Sequence, residues 1–246
     1  MHYGHPPREW NPKMAPYIFM EARGIHIIDL NKTVAKIDEA ANAMKQIAKS
    51  GKKVLFVATK KQAKDIVANA AGRVNMPYIV ERWPGGMLTN FATVRKSVKK
   101  MGQYEKMETD GTFGNISKKE RLMITRAKSK MERFLGSISD LSRLPAAVFI
   151  IDLNKEHIAV AEAQKLNIPT FAIADTNTDP SQVDFAIPAN DDATKSISLI
   201  MDTMVKAIEE GLSERKVDKE MDKEKEESEE TTSGAEASAP SEKDAE

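Results

Sequence analysis

Five short apolar runs, spaced by stretches of helical periodicity, constrain the fold of this 246-residue chain more than any other feature. Val54-Leu55-Phe56-Val57-Ala58 and Ala146-Ala147-Val148-Phe149-Ile150-Ile151 are apolar throughout, and Thr170-Phe171-Ala172-Ile173-Ala174 nearly so. Tyr78-Ile79-Val80 and Phe185-Ala186-Ile187 are shorter versions. A strand with one wet face alternates polar and apolar residues, whereas a continuous apolar run is buried on both faces. Between these runs, residues 34–49 place Val34, Ile37, Ala41, Met44, Ile47 and Ala48 on one helical face, with Gly51 as the stop. Residues 60–71 do the same with Ala63, Ile66, Val67 and Ala70, ending at Gly72. Residues 157–166 and 192–210 complete the helices, the last ending at Gly211. Buried strands alternating with helices predict an α/β fold, a doubly wound, flavodoxin-like parallel sheet covered on both faces.

Two segments break the rhythm. Residues 17–20 and 25–28 flank Glu21-Ala22-Arg23-Gly24 and predict a β-hairpin. About 65 residues then separate the second and third predicted sheet strands, far more than a crossover needs. Within them, residues 88–106 carry Phe91, Val94, Val98 and Met101, and residues 118–138 carry Ile124, Ala127, Met131, Phe134 and Ile138. Spacings of three and four predict an inserted α-helical coiled-coil hairpin at about 88–138, turning at Asp110-Gly111-Thr112-Phe113-Gly114. Trp83 and Phe91 flank its junction with the body, where an aromatic anchor is expected. Residues 1–212 form the globular unit in this reading. Residues 213–246 offer only Val217 and Met221 as sizeable apolar groups. That is too little to offset an ordering entropy of about 1–2 kcal/mol per residue, so an acidic disordered tail is expected, its first turns extending the preceding helix.

Net charge is zero, with 37 basic and 37 acidic residues, but the charge is polarised. Residues 1–87 carry a net +7 and residues 88–136 another +7, while residues 137–212 and 213–246 each carry −7. A basic first half points to a polyanionic partner. On the predicted hairpin Arg95, Lys96, Lys99, Lys100, Arg121 and Lys128 fall outside the apolar seams, and acidic residues four positions on are few. Such a projecting basic arm reaches phosphate grooves with salt-dependent affinity; the competing reading is a solvated helix face. The N-terminal block adds Arg8, Lys13 and Arg23, with Trp10 available to stack or to pack.

Catalytic patterns do not assemble. The chain has no cysteine, which removes thiolate chemistry and disulfides. Neither GxGxxG nor GxxxxGK[ST] follows the first buried run, and no GxSxG elbow occurs. Gly85-Gly86 offers backbone N–H groups to a phosphate, or simply permits a tight turn after Trp83-Pro84, the favoured reading. Asp152, Asp175, Asp179, Asp184 and Asp191-Asp192 stand near strand ends, where an enzyme would hold a cation; capping and turn formation are the commoner use, with Asp191 expected to cap the last helix. His2, His5, His26 and His157 show no metal-binding spacing. No catalytic residue, cofactor or metal is expected. The N-terminus has no signal-peptide core and no stretch reaches a membrane span.

Longer blocks carry a resemblance. Trp10-Asn11-Pro12-Lys13-Met14 with Tyr17-Ile18, then residues 24–33, then Arg82-Trp83-Pro84-Gly85-Gly86-Met87-Leu88-Thr89-Asn90-Phe91, resemble the small-subunit ribosomal protein two family of bacteria. Residues 145–152 with Glu156-His157, residues 168–177 with Asp179-Pro180, and residues 184–192 continue it in order, so that it covers about residues 4–210. Pro84 stands where leucine is more usual, and Met1 lies almost at the first block, which a short helix ordinarily precedes; a truncated or misassigned start is the expectation there. The resemblance implies a cytoplasmic structural component of the small ribosomal subunit. It implies contacts with small-subunit ribosomal RNA and neighbouring ribosomal proteins, and help for small-subunit protein one to dock. A metabolic α/β enzyme and an RNA-binding adaptor outside the ribosome are the competing classes.

Overall fold

The computed structural model describes residues 1–110 and 116–236. A 3-10 turn at Pro12–Tyr17 starts where Asn11 accepts a hydrogen bond from the Lys13 N–H, and it drives Met14 into the core. Strands β1 (Ile18–Ala22) and β2 (Ile25–Ile28) follow as the antiparallel ribbon expected from the sequence, with Arg23 at its tip held at φ 54°.

Five parallel strands make the main sheet: β3 (Val54–Val57), β4 (Tyr78–Ile79), β5 (Ala147–Ile151), β6 (Thr170–Ala174) and β7 (Phe185–Pro188). Their order is β4-β3-β5-β6-β7, the doubly wound order with its reversal between β3 and β5. Six helices are described: α1 (Leu30–Lys49), α2 (Lys61–Arg73), α3 (Phe91–Thr109), α4 (Lys118–Leu135), α5 (His157–Lys165) and α6 (Thr194–Glu236).

Every residue of β3, β5 and β6 is buried, because alternate side chains meet a different layer. Phe56, Phe149 and Phe171 point into a core shared with α1, α2 and α6, where Met44, Val67, Met201 and Met204 meet them. Leu55, Val57, Val148 and Ile150 face the opposite core with α5, the loop around Trp83 and the root of α3 and α4. Each such side chain contributes about 1.5–3 kcal/mol of burial, so the runs that define the strands also supply both cores.

Three boundaries differ from the sequence expectation. Helix α1 begins at Leu30 because Asp29 accepts from the Asn31 N–H, and its buried stripe is Thr33, Ala40, Met44 and Ala48. Val34, expected on that stripe, is 57% exposed. Asp191 does not cap the last helix: Asn190 Oδ1 accepts from the N–H groups of Asp192 and Ala193, at 3.1 and 2.6 Å. Gly211 does not stop that helix either. A Cβ there would sit 2.4 Å from the Lys45 carbonyl oxygen, so the glycine serves close packing of α6 on α1. Glu210 just before it, and Glu214 and Asp218 beyond it, pair with Lys45 and Lys49 of α1, as the helix continues into the segment expected to be a tail.

Candidate nucleic-acid interface

The inserted helices leave the body through a cradle built around one carboxylate. Glu162 of α5 is buried, and its Oε1 accepts from the Trp83 indole N–H at 3.0 Å and the Gly86 N–H at 2.8 Å. Its Oε2 accepts from the N–H groups of Leu88 and Thr89, at 2.9 and 3.1 Å, and from the Thr89 hydroxyl at 3.2 Å. Burial pushes the Glu162 carboxyl upward, but the bonds from Trp83, Thr89, Leu88 and Gly86 outweigh it and hold it below its ordinary range. Gly86, at φ 82°, turns the chain so that its own N–H faces the carboxylate. The glycine pair thus forms an anion-binding turn whose anion is internal.

Above the cradle, α3 and α4 pack on each other. Val98 and Met101 are buried, and Phe91, Val94, Ile124, Ala127, Met131 and Phe134 are half-buried, while their neighbours on the other faces are exposed. The expected turn at residues 110–114 lies, from Gly111 onward, outside the described residues. Arg95, at the start of the second turn of α3, donates from Nη1 to the carbonyls of Leu141 at 2.9 Å and Ser139 at 3.3 Å, so its guanidinium braces the hairpin root. Lys96 and Lys99 are exposed, with no ion pair among the described residues. Lys100 lies over the Tyr104 ring at 5.7 Å. Arg121 is exposed on α4. Lys128 pairs with Glu108 of α3 at 2.7 Å, which raises its pKa and ties the arms together.

The N-terminal candidates lie on a separate surface. Arg8 is exposed, as is Arg23 at the ribbon tip. Trp10 is half-buried, its ring 5.1 Å from that of His26. Lys13 is engaged with Asp179 at 2.6 Å and the Ser181 hydroxyl at 2.9 Å. Burial acts to raise the Asp179 carboxyl, but the Lys13 and Ser181 bonds bring it below its usual value.

The strand-end crevice, where doubly wound sheets bind ligands, is filled by the chain's own charges. The Lys60 ammonium follows β3 and meets Asp192 at 2.6 Å, Asp191 at 2.9 Å and Asp152 at 3.3 Å. Burial works to lower the Lys60 pKa, yet these carboxylates raise it well above normal. Asp191 is almost fully buried; desolvation, with Asp152 and Asp175 nearby, pushes its pKa up to about 6 against the pull of Lys60. His5 closes the crevice, its Nδ1 3.3 Å from Asp175 and its Nε2 3.7 Å from Asp192. Asp152 also serves a turn, accepting from the Lys155 N–H, as does Asp179, accepting from the Ser181 N–H, whereas Asp184 ties the starts of β6 and β7 together by accepting from the N–H and hydroxyl of Thr170. Among the described residues no three histidines, aspartates or glutamates come together as a metal site.

Sequence reasoning missed Glu162. Its signal was a lone glutamate among Ala159, Val160 and Ala163, the buried residues of α5.

The family model described as "Ribosomal protein S2" matches residues 1–211. The small ribosomal subunit protein uS2 of Phocaeicola vulgatus is 67% identical over 217 residues, covering 88% of this chain and 78% of the relative. The uS2 of Bacteroides thetaiotaomicron is 65% identical with the same coverage, and that of Flavobacterium johnsoniae is 64% identical over 87% of this chain and 85% of the relative. This match over nearly the whole body shows that the chain belongs to the ribosomal protein S2 family, structural and non-enzymatic proteins of the small ribosomal subunit.

Proposed function

We propose that this chain holds small-subunit ribosomal RNA through two basic surfaces, the outer face of α3 and α4 and the N-terminal block. It also seats neighbouring small-subunit proteins and helps small-subunit protein one to dock. One observation carries the reading most strongly. Lys96 and Lys99 project from α3 with no carboxylate partner among the described residues, on a helix pair whose root is pinned by the Glu162 cradle and by Arg95. Rigid, unneutralised cations suit phosphate contacts, which need position and charge and no reactive centre. The heptad-like seam supports a coiled-coil arm, and the acidic charge from Ser213 onward suits a segment that stays off RNA. The role toward small-subunit protein one rests on the family resemblance.

Sedimentation tests the reading. The chain should co-migrate with small subunits after a moderate-salt wash and remain bound to extracted small-subunit RNA. Release from both at moderate salt would contradict it.

A further inference from the structure

A groove of about 420 Å³ runs between the Trp83–Gly85 turn and the last turns of α4, beside the cradle. Its walls are Trp83, Pro84, Met131, Phe134 and Leu135, and Arg82 and Lys130 stand on its rim. We propose that this groove takes one unstacked base of an RNA strand, with the flanking phosphates on Arg82 and Lys130. The inference rests on the RNA-binding reading above and adds the site and the state of the RNA it engages.

The chemistry of the rim selects the occupant. Arg82 and Lys130 are exposed and have no carboxylate partner among the described residues. Two of the nearby carboxylates are already spent: Glu81 pairs with Arg133 at 2.9 Å and Lys64 at 3.3 Å, and Glu162 is buried in its cradle, while Glu132 does not line the groove. The groove is therefore apolar within and cationic at its edge. An unpaired nucleotide offers the complement, a flat π face between two phosphates. A duplex hides its bases in the stack and presents phosphates alone. The volume lies within the roughly 300–1,000 Å³ usual for small-molecule clefts, which leaves room for a single base. Arg126, one turn before Lys130 and also exposed without an ion pair among the described residues, continues the cationic row along α4. The Trp83 N–H is committed to Glu162, so stacking rather than hydrogen-bond readout holds the base, and preference among bases is weak.

The chain has two tryptophans, so Trp10→Phe leaves Trp83 as the single reporter. Short oligoadenylate should change Trp83 emission, and an RNA duplex of the same length should not. Phe134→Leu, which keeps apolar volume but removes the aromatic face, should weaken oligoadenylate binding about tenfold. Arg82→Gln with Lys130→Gln should flatten the salt dependence while thermal unfolding stays unchanged. Unaltered Trp83 emission, or an equal response to duplex, overturns the groove assignment if the Trp10→Phe chain still joins small subunits depleted of this protein. Failure of the parent chain, with Trp10 in place, to bind either oligoadenylate or depleted subunits overturns the RNA-binding reading itself.

Discussion

The indole Nε1 of Trp83 donates to Oε1 of Glu162 across 3.0 Å, and this bond joins the loop before the inserted helices to α5 of the body. Four further donors converge on the same carboxylate, so the direction in which the hairpin leaves the body depends on one buried side chain. Glu162→Gln places an amide where two N–H groups expect an acceptor. It should cost about 2–3 kcal/mol, read by denaturant unfolding. The acid limb changes too. The folded-state pKa of Glu162 lies below its ordinary 4.5, so its contribution is complete above about pH 4.5 and is lost as pH falls through the depressed value. The variant should lose less stability over that acid range than the parent chain.

Trp83 is 7% exposed and packs in the core beneath the hairpin root. Trp83→Ala should cost about 3–5 kcal/mol in thermal or denaturant unfolding. A loss well under 1 kcal/mol would remove the idea that this side chain sets the junction.

Gly211→Ala tests the packing of α6 on α1. The added Cβ would lie 2.4 Å from the Lys45 carbonyl oxygen and 3.0 Å from Ala48 Cβ, both on a helix that cannot yield locally. Overpacking of this kind costs about 1–3 kcal/mol, against the gain of under 1 kcal/mol that alanine brings in an open helix. A stabilised variant would show that the helices separate freely.

Deleting residues beyond Lys216 removes the Lys49–Asp218 ion pair and most of the acidic charge, while the Lys45–Glu214 pair remains. Exposed pairs contribute little, so fold and incorporation into small subunits should persist, as measured by circular dichroism and sedimentation. Loss of incorporation would mark the acidic segment as a required contact.

The sheet was legible because its strands are buried on both faces: Val54 to Val57 and Phe171 to Ala174 can be nothing but interior. Both inserted helices were legible from apolar residues spaced by three and four, and the ribbon from two apolar runs flanking Glu21-Ala22-Arg23-Gly24. The cradle was not. Its chemistry needs Gly86 and Glu162, which stand 76 residues apart, and no local period reports a partner at that range. Val34 and Gly211 misled for related reasons. Periodicity finds an apolar stripe but not which stripe faces the sheet, and a glycine reads as a stop until the helix packed on it is known. Of the candidate cations, Arg95, Lys13 and Lys128 turned out to hold intramolecular partners, which charge counting cannot foresee.

That sorting leaves Lys96, Lys99 and Lys100 as the α3 cations to alter without touching the brace made by Arg95. The most direct measurement is association of the Lys96→Gln, Lys99→Gln, Lys100→Gln chain with small subunits depleted of this protein, across a salt series. Circular dichroism should be unchanged, because the three residues lie off the Val94–Val98–Met101 stripe. Each lost phosphate contact lowers the slope of log affinity against log salt by about 0.7–0.9, so the variant should bind more weakly and its slope should fall by about 2. Parental affinity with a parental slope would contradict the claim that this face of the hairpin holds RNA.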